Sequence, residues 1–250
     1  MLSVPKNPII MTTLDDDLLN QFARTFYGYG TYEGDYWLIG MEEGGGNSCD
    51  EVDARLKAWD ERGKRELEDI DGYHQAFGVS DLFQPHPRIQ PTWGKLIRLL
   101  LAAGGAEPVE TQQVREFQRD HLARSTSNHC ILELFPLPSP STNQWLYADC
   151  SQLPYLGNRD HYRAFVSPFR VAHLQAQIRL HRPLYVVFYS FSYRVNYWEK
   201  IAGVPLKDNP DLGCALGRNN DTMFVIMKHP ATKGITSDYY DRIGRLLRRR

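Results

Sequence analysis

The sequence has few cysteines, almost no net charge and no long apolar run, and each of these absences excludes a class of protein. None of its four cysteines belongs to a C-x-x-C pair, which argues against a zinc ribbon or an iron–sulfur cluster. The formal net charge is -1, so any affinity for nucleic acid must come from local patches. The apolar runs are too short to span a bilayer, and no secretory signal is visible. We therefore expect reduced thiols, a cytoplasmic location and no membrane partner.

Two common nucleotide-binding motifs are also missing. The glycine-rich stretch G-M-E-E-G-G-G at residues 40–46 lacks the Lys-Ser or Lys-Thr of a Walker A loop, and the dinucleotide fingerprint G-x-G-x-x-G does not occur. Glu42 and Glu43 within the stretch would repel a phosphate. Its glycines instead allow the backbone to approach a ligand closely. We expect neither a cofactor nor a metal ion.

The sequence does contain strand-like and helix-like segments that alternate along its whole length. Four mostly unalternating apolar runs are predicted strands, at residues 36–39, 130–134, 184–189 and 223–227. Buried strands separated by helices indicate an α/β fold, a three-layer sandwich with a four-stranded parallel central sheet. We expect a single domain over residues 1–250. A charged insertion at about 49–71, with few apolar residues to bury, is predicted to be a helix or a mobile segment.

Residues able to do acid–base chemistry stand at the ends of three predicted strands. Glu42 and Glu43 follow the first strand, Glu133 lies at the end of the second, and His229 follows the fourth. The carboxyl ends of parallel strands share one edge of a sheet, where ligands bind, so these side chains are expected to meet across one pocket. Taken singly, each also has an ordinary structural interpretation. The glutamate pair can be solvated, the buried carboxylate salt-bridged and the histidine packed.

Two loops at the same edge carry groups that suit a phosphate backbone. The loop after the second strand is rich in proline and serine, with Ser139 and Ser141 as candidate contacts. The loop after the fourth strand is cationic, with candidate contacts at Lys228, Thr232 and Lys233. Hydroxyl, main-chain and cationic donors of this kind bind phosphate diesters. A polymer with a phosphate backbone is therefore the predicted partner, and no obligate protein partner is evident.

Together these elements resemble the uracil-DNA glycosylase superfamily, whose members share a four-stranded parallel sheet between helices. The superfamily's first motif ends strand one, as G-x-D-P-Y in one branch and G-M-N-P-G in another. Here G-M-E-E-G at residues 40–44 matches that frame. The last motif, H-P-S or H-P-A, follows strand four and is H-P-A at residues 229–231. The base-recognition residue, often Asn, ends strand two, where Glu133 lies. The resemblance spans about residues 35–247.

The resemblance implies a monofunctional DNA glycosylase. Such an enzyme flips a nucleotide out of the duplex and hydrolyses its N-glycosidic bond, which leaves an abasic site. Glu42, with Glu43 beside it, would position or activate the water and stabilise the positive character of the sugar. His229 would form a hydrogen bond to the departing base. Carboxylates serve glycosidic cleavage elsewhere too.

The resemblance also implies where the base and the duplex are bound. The base-binding residues it indicates are Met41, Tyr73, Phe77, Glu133 and Phe135. The aromatic residue that stacks on the base lies shortly after the first motif in the superfamily. Here it would be Tyr73 or Phe77, after an unusually long insertion. The residue that enters the duplex follows the histidine, where Lys233 or Ile235 stands.

Two departures from the superfamily's motifs point away from uracil. Glu43 replaces the usual proline, and Glu133 replaces the usual asparagine. A carboxylate accepts hydrogen bonds from amino groups such as the exocyclic amine of cytosine, but it is a poor partner for O4 of uracil unless it is protonated. Some members of the superfamily act on modified bases, including those of phage DNA. A modified cytosine, such as a hydroxymethylated or glucosylated one, is therefore the leading hypothesis.

Three alternatives stay open. A conventional uracil or damaged-base repair glycosylase would act on uracil-containing strands. A non-catalytic nucleic-acid-binding module on the same fold would bind without leaving abasic sites. The third alternative is a hydrolase of small nucleosides or nucleotides. The salt dependence of ligand affinity distinguishes it from a protein that binds a polymer, because polymer binding releases counterions and weakens steeply with salt.

Overall fold

The computed structural model of the protein describes residues 13–248. The N-terminal stretch where a secretory signal was sought lies outside these residues, as do the last two arginines. The described chain forms an α/β fold around one mixed sheet of eight strands. The strands are β1 Gly28–Gly30, β2 Tyr36–Glu42, β3 Leu67–Glu68, β4 His129–Phe135, β5 Tyr185–Tyr189, β6 Lys207–Asn209, β7 Cys214–Arg218 and β8 Met223–Met227.

The centre of the sheet is the set of four strands predicted from the sequence. In the order β3-β1-β4-β2-β5-β8-β7-β6, the strands β4, β2, β5 and β8 run parallel to one another. Trp37 of β2 is in register with Cys130 of β4 and with Val186 of β5. All seven residues of β4 are buried, so both faces of the centre are covered.

The prediction of a purely parallel four-stranded sheet was wrong at both edges. β1 pairs antiparallel with β4 and carries β3, while β7 and β6 extend the other edge as antiparallel strands. Three of these four strands are only two or three residues long, too short for any apolar periodicity. β1 is also mostly glycine, because it passes so close to β4 that a Cβ at Gly28 would lie 2.2 Å from the main-chain oxygen of Ile131.

Helices form two groups on this sheet. The helices are α1 Asp16–Thr25, α2 Cys49–Glu61, α3 Ile70–Ala76, α4 Pro91–Ala103, α5 Thr111–Asp120, α6 Tyr147–Cys150, α7 Arg159–His181, α8 Glu199–Ala202 and α9 Ser237–Leu246. One group is α4, α5 and α9, and the other includes α1, α2, α7 and α8, with α7 packed against β4. Between residues 13 and 248, no helix combines the length and apolar character needed to cross a membrane.

The charged segment at 49–71 is ordered secondary structure. Ser48 caps α2 by accepting a hydrogen bond from the main chain of Glu51. One face of the helix buries Val52, Leu56 and Trp59, the last of which is fully inaccessible to solvent. A few large apolar residues on a single face are enough to hold a short amphipathic helix on the core.

The cysteines differ from the sequence expectation. Cys49 at the start of α2 and Cys150 at the end of α6 form a disulfide, so the expectation of reduced thiols is wrong for this pair. Cys130 and Cys214 are free and buried. The two bonded cysteines are 101 residues apart, and no local spacing motif signals a contact that only the tertiary fold creates.

Candidate functional site

The carboxyl ends of the four central strands open onto a cavity of about 460 Å³. It is lined by Glu42 and Glu43 at the end of β2, Glu133 of β4, Tyr189 of β5 and His229 after β8. The structure thus brings together the four acid–base residues that the sequence placed at strand ends. The cavity wall also includes Tyr29, Arg55, His74 and Trp93.

A second cavity of about 300 Å³ shares part of this wall. Glu42, Glu43, Gly44 and His229 line both cavities. Hydroxyl groups make up much of the remaining lining of the second cavity, from Ser139, Ser141, Thr142, Ser190, Ser192 and Tyr193. The site is therefore a largely buried acidic region beside a hydroxyl-rich one.

Glu42 is held by two arginines from the first two turns of α7. Arg159 donates through Nη1 to Oε2, and Arg163 donates to Oε1 through Nε at 2.9 Å and Nη2 at 2.6 Å. The side chains of Glu42, Arg159 and Arg163 are 11%, 10% and 18% exposed. Arg159 also donates to Oγ of Ser139 at 2.7 Å, which ties the serine loop to the same cluster. Both oxygens of Glu42 are therefore engaged by the protein.

Glu43 is held through only one of its carboxylate oxygens. Its Oε1 accepts hydrogen bonds from the hydroxyl of Tyr29 at 2.6 Å and from Nη1 of Arg55 at 2.9 Å. Arg55 is kept in place by a second carboxylate, Glu51, at 3.3 Å. Within residues 13–248 no side chain or main-chain group donates to Oε2 of Glu43. This oxygen is the one that a water or a substrate can use.

Glu133 lies deeper than the other two carboxyl groups. Its Oε1 accepts a hydrogen bond from the hydroxyl of Tyr189 at 2.7 Å, whereas its Oε2 is buried without a partner among the described residues. Burial, reinforced by the negative charges of Glu43 and Glu42, raises the pKa of Glu133 to about 8. The surroundings of Glu133 therefore favour the uncharged form of its carboxyl group.

Gly40 of β2 is the point where the backbone passes closest to this buried pair. A Cβ at this position would lie 2.3 Å from the hydroxyl of Tyr189 and 2.4 Å from Oε2 of Glu133. Gly40→Ala is therefore expected to lower the free energy of unfolding by about 1–3 kcal/mol, as overpacking does. Urea unfolding would measure the loss. Gly44→Ala is the matched control, because a Cβ there meets nothing within 4 Å. Equal stability of the two variants would contradict the close packing around Glu133.

His229 presents one ring nitrogen for a ligand. The main-chain N–H of Ala231 donates to Nδ1 at 3.0 Å, so the proton of the neutral ring lies on Nε2. Burial lowers the pKa of His229, which keeps the ring neutral at neutral pH. No carboxylate of the described chain contacts this imidazole, so it does not form the histidine–acid pair of a serine hydrolase.

The predicted base-binding residues are divided between the cavity walls and the core. Met41 lines the second cavity and Glu133 the first. Tyr73 is fully buried and donates to the main-chain oxygen of Arg55 at 3.0 Å. Phe77 lies 4.5 Å from the Arg55 guanidinium, and Phe135 is fully buried. These last three rings line neither cavity, and the aromatic side chains that do line the first are Tyr29, His74, Trp93, Tyr189 and His229.

The predicted phosphate-binding residues are also divided. Ser139 and Ser141 line the second cavity. Lys228 immediately precedes His229 in the sequence but lines neither cavity. Its Nζ lies 5.4 Å from the ring centroid of Tyr239. Thr232 and Lys233 are exposed in the loop after His229.

Ile235 of the same loop is partly buried against the core, while Lys233, the other candidate for entering the duplex, is exposed. Neither side chain lines the two cavities.

Several residues of the site were missed in the sequence. Tyr189 ends the third predicted strand, and the strand-end rule that selected Glu133 would also have selected it. Arg159 and Arg163 carry no such signal, because they lie 117 and 121 residues from the carboxylate they bind. Within residues 13–248, no group of three or more His, Cys, Asp or Glu side chains is arranged to hold a metal ion.

No protein-family profile matches the chain, and no curated protein matches it significantly. The geometry and electrostatics of the two cavities are therefore the basis for a functional assignment.

Proposed function

We propose that the protein is a monofunctional DNA glycosylase that hydrolyses the N-glycosidic bond of a flipped, modified base. The observation that carries this proposal is the placement of Glu43 and His229 on the walls of the same cavities. Glycosidic hydrolysis needs one group that orients the water and stabilises the positive character of the sugar, and another that forms a hydrogen bond to the leaving base. Glu43 has a free carboxylate oxygen for the first task, and His229 has an Nε2–H for the second.

In the proposed reaction the target nucleotide leaves the base stack and enters the cavity. Oε2 of Glu43 orients a water toward C1′ of the sugar and takes up its proton as the new C–O bond forms. The C1′–N bond breaks, and its electron pair leaves with the base. The Nε2–H of His229 forms a hydrogen bond to the base as negative charge develops there. Glu43 thus acts on the sugar side of the C1′–N bond, and His229 acts on the base side.

Glu42 has a positioning role in this proposal. The sequence predicted it as the residue that activates water, but Arg159 and Arg163 occupy both of its oxygens. Neither oxygen of Glu42 is left without a protein donor, in contrast to Oε2 of Glu43. Glu42 instead fixes the start of α7 and, through Arg159, the serine loop beside the second cavity.

The size and lining of the cavities support a modified cytosine as the substrate base. The two adjoining volumes of about 460 and 300 Å³ have room for a flipped nucleotide whose base carries a substituent. The hydroxyl groups of the second cavity suit a polar substituent such as a hydroxymethyl or glucosyl group. DNA is the proposed partner. The cytoplasm is the proposed location on the basis of the free thiols Cys130 and Cys214, whereas the Cys49–Cys150 disulfide does not support it. Uracil is the second candidate, because a protonated Glu133 can donate a hydrogen bond to O4.

The proposal is tested by incubating the protein with oligonucleotides and phage genomic DNAs that carry different bases, then cleaving abasic sites with alkali. Alkali-labile sites on a modified-cytosine DNA would support the proposal, and sites on uracil-containing DNA alone would favour a repair enzyme. Salt-sensitive binding to every DNA, with no abasic sites, would leave a binding module and overturn the enzymatic assignment.

His229→Ala is expected to slow base release by about 100-fold, since the variant loses the donor to the departing base. Single-turnover excision measures this rate. His161→Ala is the matched control, because His161 is an exposed histidine that lines neither of the two cavities. A His229→Ala rate within about threefold of the native rate would remove His229 from the mechanism.

A further inference from the structure

Glu133 carries an unsatisfied polar atom at the wall of the cavity. The side chain of Glu133 on β4 accepts a hydrogen bond from the hydroxyl of Tyr189 on β5. The main-chain oxygen of Glu133 accepts from Nη2 of the fully buried Arg170 at 2.8 Å. Oε2 has no partner among the described residues, although it is buried. A buried polar atom left without a hydrogen bond is destabilising, and most buried polar atoms of native proteins have a partner. A ligand in the cavity would provide the missing partner.

Burial and the two carboxylates Glu43 and Glu42 at the end of β2 disfavour a negative charge on Glu133. The Tyr189 hydroxyl from β5 and the Arg170 guanidinium from α7 favour that charge, but they do not outweigh burial, and the pKa of Glu133 stays raised. The other titratable side chains on the cavity wall are Tyr29, Arg55, His74 and His229. Arg55 is paired with Glu43, and burial lowers the pKa of His74 to about 4, so neither is a partner for Glu133.

We infer that Glu133 recognises the base as an uncharged carboxylic acid, with Oε2 donating one hydrogen bond and Oε1 accepting another. Since Tyr189 donates to Oε1, the proton of Glu133 lies on Oε2, and Oε1 retains a second lone pair. The ligand class is a base whose Watson–Crick edge has an acceptor next to a donor. Cytosine derivatives offer N3 and the exocyclic amine, and uracil derivatives offer O4 and N3–H. An ionised Glu133 could only accept, and one of the two hydrogen bonds would be lost.

This inference rests on the proposed glycosylase function and predicts a pH dependence. The rate of base release is expected to fall by about tenfold per pH unit above a pKa of about 8, as the carboxyl group loses its proton. Glu133→Gln keeps both a donor and an acceptor at every pH. This variant is therefore expected to show no such fall, whatever its rate at pH 7. Glu51→Gln, which changes a carboxylate that lines neither cavity, should keep the fall.

The experiment compares single-turnover rates from pH 6 to about 9.5 on cytosine-derived and uracil-derived substrates. A fall that persists in Glu133→Gln, or a native rate that stays flat through pH 9, would overturn the inference while the glycosylase assignment stands. If no substrate yields abasic sites, the proposed function fails instead. Carbon-13 NMR titration of the native protein then reports the charge of Glu133 directly, and titration near the ordinary value of 4.5 would overturn the neutral form.

Discussion

Glu43→Gln is expected to slow base release by about 1,000-fold and to leave DNA binding within about threefold of the native affinity. The free Oε2 of Glu43 is the proposed acceptor for the proton of the water, and removing such a group costs about 100- to 10,000-fold. The amide keeps the shape of the side chain and can still accept from Tyr29 and Arg55 at its oxygen. Single-turnover excision and fluorescence anisotropy with an oligonucleotide would measure the rate and the affinity.

Glu51→Gln is the matched control for the loss of a negative charge beside Arg55. Glu51 pairs with the same guanidinium at 3.3 Å but lines neither cavity. Its variant is expected to excise at a rate within about threefold of the native rate. Should Glu43→Gln stay active while Glu42→Gln is inactive, the water would be assigned to Glu42, as the sequence predicted.

Glu42→Gln is expected to lower the free energy of unfolding by about 3 kcal/mol. The change removes the only carboxylate that pairs with Arg159 and Arg163 in the described chain, and both arginine side chains are more than four-fifths buried. Breaking a buried ion pair by removing one partner costs about 3–5 kcal/mol, because the remaining charge stays buried without compensation. Urea unfolding, followed by tryptophan fluorescence, would measure the change.

Asp53→Asn is the control for this stability prediction. Asp53 pairs with Lys57 on one face of α2, where the lysine side chain is 66% exposed. Exposed pairs one helical turn apart are worth about 0.3–0.5 kcal/mol, so this variant should be close to native. Similar losses in the two variants would show that Glu42 does not hold the start of α7 in the way its contacts indicate.

The two predictions assign different roles to Glu42 and Glu43: the excision rate tests Glu43, and the free energy of unfolding tests Glu42. Glu42 and Glu43 are adjacent in sequence and both line the two cavities, yet their contacts differ. Sequence reasoning placed both at the site and gave the leading role to Glu42 through the motif frame. Which oxygens remain available depends on arginines from α2 and α7, and no local pattern around residues 40–44 contains that information.

Some elements of the fold likewise follow from the local sequence, whereas others depend on contacts between distant segments. The four central strands were predictable because each is a run of apolar residues long enough to be recognised alone. Their shared carboxyl edge then followed from the parallel arrangement. The short edge strands were not predictable, since two or three residues such as Gly28–Gly30 become a strand only by pairing with β4.

The sequence by itself determined the α/β class, the four central strands and the gathering of Glu42, Glu43, Glu133 and His229 at one edge. These follow from apolar periodicity and strand direction, which are properties of consecutive residues. The tertiary structure alone decided the mixed edges of the sheet, the Cys49–Cys150 bond and the two arginines on Glu42. It also decided the raised pKa of Glu133, because burial and the field of neighbouring carboxylates exist only when distant segments pack together.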